Sequence, residues 1–495
     1  MRGPMSYPFK TTPLAHQLAT WEKTNRLKFY GLLLEMGTGK TKITIDTMAF
    51  MYDQGWLNGL LILGNKGSYL NWEDELKKHL PAHIKYDLAI WRSPMNKQDE
   101  ACLDKVLHEK TMHMSVLLMN IEAISHERAF KVAYQFCLNH NTLGVMDEST
   151  NIKNPKAKRT LAAWKIRDAC KARRILTGSA VDNRPLDAWA QFEFLRPGML
   201  GYTSFYAFKS AYANLVKVRV RDNRKDVSKH TADGRREVTM VTGYRNLNAL
   251  RDSLSKCATI IKKTDCLDLP PKIYQKYYVE LTAEQKSYYE DMRKRSIIEL
   301  SSSIVSTKII LTKLLRLQQI ICGFVKDDDG TIHEIPSNRT DALMEILDES
   351  QDKGLIWANN RYSIQTIEAK IAKTYGSEKV RSYYGDTTRD ERAEVKQLAL
   401  RGTETPVDWV VSNPQSGGYG NTWTAFNLVV YYANGFDGEL RNQSEDRAHR
   451  IGQTASVTYV DMIAKDTIDE KILTALQTKK DLSALITPSN WKAWF

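Results

Sequence analysis

Short apolar runs that alternate with longer amphipathic stretches constrain this chain more than any other feature. In the first half the runs are YGLLLEM, LLILGN, SVLLMN, LGVMDE and RRILTGS; in the second half KGLIWAN, VRSYYGD, DWVVSN, LVVYYAN and VTYVDMIA take up the same rhythm. A strand covered on both faces reads as a continuous apolar run, and a parallel neighbour can be reached only through a crossover, usually a helix. The pattern therefore predicts parallel sheets with crossover helices, an α/β fold. At 495 residues and 42% hydrophobic content the chain can bury more than one core. Two α/β lobes are expected rather than one large sheet.

Two regions break the rhythm. Residues 216–245 alternate Val with Arg, pass a polar turn at Asp233 and Gly234, and alternate again, which predicts a long basic β-hairpin. Residues 282–322 read as helices and follow the linker DLPPK at 268–272. The expected division is a first lobe over 1–200, an insertion with hairpin and helix over 201–267, a linker and helical protrusion over 268–326, a second lobe over 327–465, and a brace helix with tail over 466–495. The tail NWKAWF either docks a partner or packs back on its own domain, and Trp357 belongs to the second lobe's core or the rim of its cleft. There is no repeat at solenoid spacing and no low-complexity tract.

Lys and Arg total 71 against 58 Asp and Glu, a formal charge of +13 that biases the chain toward polyanions. The N-terminal MRGPMSYPFKTTP lacks an apolar export core, and no run approaches a membrane span. Cys102, Cys137, Cys170, Cys257, Cys266 and Cys322 show no metal-ligand spacing. A cytoplasmic protein with reduced thiols and no membrane partner is expected.

LLLEMGTGKTKITID sets a glycine-rich turn between an apolar strand and a helix, the setting a phosphate loop requires. Backbone N–H groups of Gly37, Thr38 and Gly39 would wrap a β-phosphate, Lys40 would reach the β and γ oxygens, and the Thr41 hydroxyl would ligate Mg²⁺. Leu34 stands where the strict pattern has a small residue. LGVMDEST places Asp147 and Glu148 at the carboxyl end of a strand, where open α/β sheets bind ligands. Asp147 can hold Mg²⁺ through water while Glu148 orients the attacking water. In QSEDRAHRIGQT, Arg447 and Arg450 are three apart, so on a helix they share a face and suit phosphate oxygens. Supplied across a cleft, they would stabilise charge at the γ-phosphate. The same spacing also fits surface salt bridges to Glu445 and Asp446.

In this order along nearly the whole chain, the motifs resemble superfamily 2 helicases, specifically the SNF2-like group of DNA translocases. PLAHQ at 13–17 looks like the glutamine motif, EMGTGKT like motif I and NWEDELKK like motif Ia. MDESTNIKN looks like motif II, and LTGSAVDNRPLDAWAQFEFLRPGMLG like motif III with its following helix. LPPK is similar to the start of the second lobe, SGGYGNTWTA to motif V and QSEDRAHRIGQT to motif VI. The resemblance implies two RecA-like parallel-sheet lobes, ATP and Mg²⁺ as cofactors, and stepping along duplex or branched DNA. It implies adenine contact by Gln17, placement of Gln443 in the ATP cleft, coupling by Thr177 and Ser179, and a DNA-backbone position for Thr422 and Thr424. DEST departs from the more usual DEAH, and Thr422-Trp423-Thr424 from Asn-Leu-Thr. The family's large insertion between lobes and its chromatin-reading modules are missing from the pattern, which points to a minimal motor of a phage or bacterium.

Lys217, Arg219, Arg221, Arg224, Lys225, Lys229, Arg235 and Arg236 of the hairpin would grip phosphates while its turn splits strands, or else form a solvated surface. Nothing there reads bases, so structure-specific binding is expected. The leading expectation is a DNA-stimulated ATPase that reverses forks or moves junctions. An RNA-directed helicase, the motor subunit of a restriction or defence complex, and an ATP-gated DNA clamp are the alternatives.

Overall fold

The computed structural model describes residues 7–65, 68–109, 111–178, 185–221, 235–302, 307–327, 329–350, 352–400, 402–403, 405–418, 421–477 and 491–495. The chain divides into two compact units, Met1–Leu267 and Asp268–Phe495, each built on a parallel sheet of its own.

The first sheet contains β1 (Phe29–Leu34), β2 (Gly59–Gly64), β3 (Tyr86–Ile90), β4 (Met114–Asn120), β5 (Thr142–Asp147), β6 (Ala172–Thr177) and β9 (Ala258–Ile261), in the order β3-β4-β2-β5-β6-β1-β9. Every pairing is parallel. The apolar runs are continuous because each strand feeds two cores. Leu33, Leu61, Leu63, Leu117 and Met119 enter one, and Leu32, Leu34, Leu60, Ile62 and Leu118 the other. β3 and β9 lacked such runs. They are edge strands, covered less completely, and so need fewer apolar residues.

The stretch expected as an insertion over 201–267 ends inside the first sheet, because β9 pairs with β1 from Gly31↔Ala258 to Leu34↔Ile261. Ahead of it, β7 (Ala213–Arg221) and β8 (Arg235–Tyr244) pair antiparallel, with an irregularity at Asn214 and Leu215. The hairpin thus starts three residues earlier than its Val/Arg alternation indicated. Its turn, with Arg224, Lys225 and Lys229, lies outside the described residues.

The second sheet contains β10 (Lys272–Val279), β13 (Gly354–Trp357), β14 (Val380–Tyr383), β15 (Trp409–Ser412), β16 (Leu428–Tyr431) and β17 (Val457–Ala464), in the order β10-β17-β16-β13-β15-β14. A small antiparallel pair, β11 (Phe324–Lys326) and β12 (Ile332–Glu334), sits apart from it. Trp357 is fully buried in the core. The LPPK segment leads straight into β10, an exposed edge strand whose sequence KIYQKYYV is too polar to read as buried. Helices Ala283–Ser302 and Thr307–Ile321 occupy the stretch expected to be helical. The tail packs back on its own unit: Trp491, Trp494 and Phe495 are buried with Tyr289, Leu314 and Ile472. Among the described residues no helix is long and apolar enough to cross a membrane, and all six cysteines are free thiols.

Candidate nucleotide-phosphate site and arginine helix

Loops at the carboxyl ends of β1, β5 and β6 carry the first set of candidate residues. After β1 the chain turns through Glu35–Gly39 into the helix Lys40–Asp53. Gly37 and Gly39 take φ of 80° and 97°, a region that costs side-chain-bearing residues energy. A Cβ on Gly39 would also lie 2.2 Å from Gln17 Nε2. Lys40 Nζ donates to the carbonyls of Leu34 at 2.8 Å and Glu35 at 3.4 Å. Only the Leu34 carbonyl joins the loop while its side chain enters the core, so a large residue is tolerated there. The helix begins without a side-chain cap and without an acid in its first turn. Thr41 is half-buried in that turn. The N–H groups of a helix's first turn and the positive end of its dipole suit an anion.

Gln17 braces this loop. Its Nε2 donates to the Thr38 carbonyl at 3.1 Å and its Oε1 accepts from Leu14 N at 3.0 Å, while Thr38 Oγ1 donates to the Glu35 carbonyl at 2.7 Å. His16 Nε2 stands 2.7 Å from the same Thr38 carbonyl. Both ends of the Gln17 amide therefore hold protein groups, a role the resemblance did not indicate. Thr177 closes β6 in register with Leu33 and is buried; Ser179 lies outside the described residues. A Cβ on Gly178 would meet Met36 Cγ at 2.9 Å, so the loop after β6 packs against the glycine loop.

Asp147 ends β5 in register with Leu176 of β6. Its Oδ2 accepts from Trp72 Nε1 at 3.0 Å and its Oδ1 from Glu148 N at 3.1 Å. Glu148 adopts φ 51°, and its carbonyl accepts from Asn151 Nδ2 at 2.7 Å. The departure at Ser149 is accommodated by a buried bond, since its Oγ donates to Gln191 Oε1 at 2.6 Å on the helix Asp187–Leu195. Trp72 and Gln191 were not singled out from the sequence. Each meets its partner only through the fold, although Trp72 lies within NWEDELKK. Among the described residues no group of three His, Cys, Asp or Glu could hold a metal. An all-oxygen set of Thr41 and Asp147 still suits Mg²⁺, which needs few protein ligands when phosphates supply the others.

In the second unit, the helix Gly438–Ala448 is capped by Asp437, whose Oδ1 accepts from Glu439 N at 2.9 Å and Leu440 N at 3.1 Å. It ends at Ala448, so Arg447 is in its last turn and Arg450 lies beyond it. The expected shared helical face is replaced by a turn. Arg447 Nε donates to the Gly418 carbonyl at 2.7 Å and Arg450 Nη1 reaches the Asn421 carbonyl at 3.4 Å, so both arginines touch the segment between the short helix Pro414–Gly417 and β16.

Glu445 is held by Arg441 Nε at 2.9 Å, Lys272 Nζ at 3.1 Å and Tyr274 Oη at 2.7 Å. Burial pushes its pKa up, but the charges of Lys272 and Arg441 outweigh burial and keep it below the ordinary carboxylate value. Arg441 also pairs with Asp461 and lies 3.4 Å from the centre of the Tyr431 ring. Gln443 is buried, and its Oε1 has no hydrogen-bond partner among the described residues.

Trp423 explains the departure in its loop. It is fully buried, donates from Nε1 to the Gly417 carbonyl at 2.9 Å, and bonds through its own N–H to the Arg447 carbonyl at 2.9 Å. Thr424 is buried beside it, so of the two threonines expected near DNA only Thr422 keeps appreciable surface. On the hairpin, Arg219 pairs in register with Glu237, Arg221 with Arg235, and Val220 with Arg236.

A glycine loop opening an uncapped helix on one parallel sheet, an acidic strand end two strands away, and a second parallel sheet bearing an arginine helix define a two-unit α/β protein. Residues 18–324 match the SNF2-related domain, and the chain belongs to that family. An uncharacterized ATP-dependent helicase of Mycoplasma genitalium, MG018, is 28% identical over 92% of this chain and 40% of its own length. An uncharacterized ATP-dependent helicase of Mycoplasma pneumoniae is 27% identical over 92% of this chain and 40% of its own. The DNA annealing helicase and endonuclease ZRANB3 of Bos taurus is 25% identical over 91% of this chain and 38% of its own. The chain spans less than half the length of these relatives.

Proposed function

We propose that the chain is a DNA-stimulated ATPase that translocates on duplex or branched DNA. The observation that carries this reading is the buried, uncapped start of helix Lys40–Asp53 facing a glycine loop with Lys40 at its mouth. Gly37, Thr38 and Gly39 would offer backbone N–H groups to the phosphates of ATP, and Lys40 would exchange its loop carbonyls for phosphate oxygens. Thr41 and Asp147 would hold Mg²⁺, whose charge offsets that of the phosphates. Glu148 would orient the attacking water. Arg447 and Arg450 would stabilise charge at the γ-phosphate, with Gln443 in the same cleft. Thr177 and Ser179 would couple nucleotide state to lobe closure.

Relatives named as ATP-dependent helicases support the ATP reading, and the name of ZRANB3 as a DNA annealing helicase supports DNA as the substrate. Fork reversal or branch migration would then place the hairpin at the junction, with Lys217, Arg219, Arg221, Arg235 and Arg236 on phosphates, together with Arg224 and Lys225 of the turn and Thr422 of the second unit. Nothing in the proposed machinery needs a membrane, and a bacterial or phage-infected cytoplasm is the proposed location.

Steady-state ATP hydrolysis is to be measured without polynucleotide and with duplex DNA, single-stranded DNA, a four-way junction and RNA. Duplex or junction DNA is expected to raise the rate. Lys40→Ala should abolish it, and Arg447→Ala should lower it by about 10³-fold or more, the scale of a lost arginine finger. Stimulation by RNA alone would favour the RNA-directed reading, and slow turnover with tight nucleotide-dependent DNA binding the clamp. A rate untouched by Arg447→Ala would remove that arginine from the reaction.

A further inference from the structure

Trp72 sits on the helix Asn71–His79 and is 2% exposed, within the buried cluster that also holds Tyr69, Leu76, Ile62 and Val145. Packing alone would accept a phenyl ring there. An indole adds one N–H, which is only a donor and is costly to bury without an acceptor. That acceptor is a carboxylate oxygen, Asp147 Oδ2 at 3.0 Å, while the Glu148 N–H holds Oδ1 at 3.1 Å. The last torsion of an aspartate is broad, so the carboxylate plane is set from outside. The Trp72 indole on Oδ2 and the Glu148 N–H on Oδ1, one donor on each oxygen, help to set it here.

We propose that Trp72 is a positioning residue for Asp147, orienting the carboxylate toward the Mg²⁺ carried by a bound nucleotide. This rests on the reading of the glycine loop as a Mg²⁺-nucleotide site. Loss of a group that orients a metal ligand weakens metal affinity by about 10-fold or more.

The test is binding of a fluorescent ADP analogue to the full chain, in EDTA and across a Mg²⁺ titration, with circular dichroism melting as a control. Trp72→Phe is expected to bind the analogue in EDTA as the parent does, while its Mg²⁺ midpoint rises about 10-fold. Trp72→His, which keeps a ring N–H, should restore part of that shift. Asp147→Asn should shift the midpoint as well, and Trp72→Phe added to it should cause little further change. An unchanged midpoint in Trp72→Phe, or its full shift persisting on the Asp147→Asn background, overturns the inference. Should Trp72→Phe melt early, the comparison of Trp72→His with Asp147→Asn decides by the same criterion. Analogue binding that ignores Mg²⁺ in the parent overturns the site reading itself, and the inference with it.

Discussion

Arg441 stands between Asp461 and Glu445, 8% exposed, with its guanidinium plane against Tyr431. Removing it would leave buried Asp461 with only the neutral Asn434 as a side-chain donor among the described residues and take one of two cations from Glu445, which keeps Lys272 and Tyr274; breaking a buried pair from one side costs about 3–5 kcal/mol. Arg441→Ala is therefore expected to lower the urea midpoint of the second unit much more than Arg447→Ala, whose guanidinium meets the Gly418 carbonyl. Arg441→Lys should recover only part of the loss, because an ammonium cannot span two carboxylates with a planar fork. Parallel urea melts followed by circular dichroism check the ranking. The i,i+4 spacing of Arg441 and Glu445 is visible in the sequence, whereas Asp461 is twenty residues away and meets Arg441 only after β17 is laid beside β16. The glycine turn around GKT was legible because such a turn is local, formed by consecutive residues. The Gln17 amide on Thr38 was not, because it depends on how an earlier helix is docked.

The tail shows the same division at the level of an element. Its aromatic composition left two outcomes open, and the fold selects burial: Trp491, Trp494 and Phe495 close a cluster with the helices Ala283–Ser302, Thr307–Ile321 and Ile468–Gln477. Emptying one large aromatic site costs about 3–5 kcal/mol, and a whole domain is stable by about 5–15 kcal/mol. Deleting residues 491–495 is thus expected to open the second unit. In limited proteolysis, fragments from 268–477 should be lost first while those from the first unit persist. Equal persistence of both would show that the cluster holds without its aromatic plug. Edge strands were the elements least legible in the sequence. β3, β9 and β10 are only partly covered, so nothing forces their residues to be continuously apolar.

Across the whole molecule, the charge of +13 favours polyanions, and the proposed DNA binding is expected to depend strongly on salt. For every phosphate that a variant no longer neutralises, the slope of log affinity against log salt should become shallower by about 0.9. Replacing Lys217, Arg219, Arg221, Arg235 and Arg236 with Ser is expected to flatten that slope without changing nucleotide binding, as fluorescence anisotropy in a salt series would report. An unchanged slope would return the hairpin to a solvated surface. The sequence by itself determined the α/β class, the central parallel strands of both cores and the glycine turn between a strand and a helix, because continuous apolar runs and turns of consecutive residues are written locally. Only the tertiary structure decided that β9 returns to the first sheet, that Arg450 leaves the helix bearing Arg447, and that Trp72 meets Asp147. These depend on segments far apart in the chain coming together, and a hydrogen bond between such residues leaves no periodicity to read.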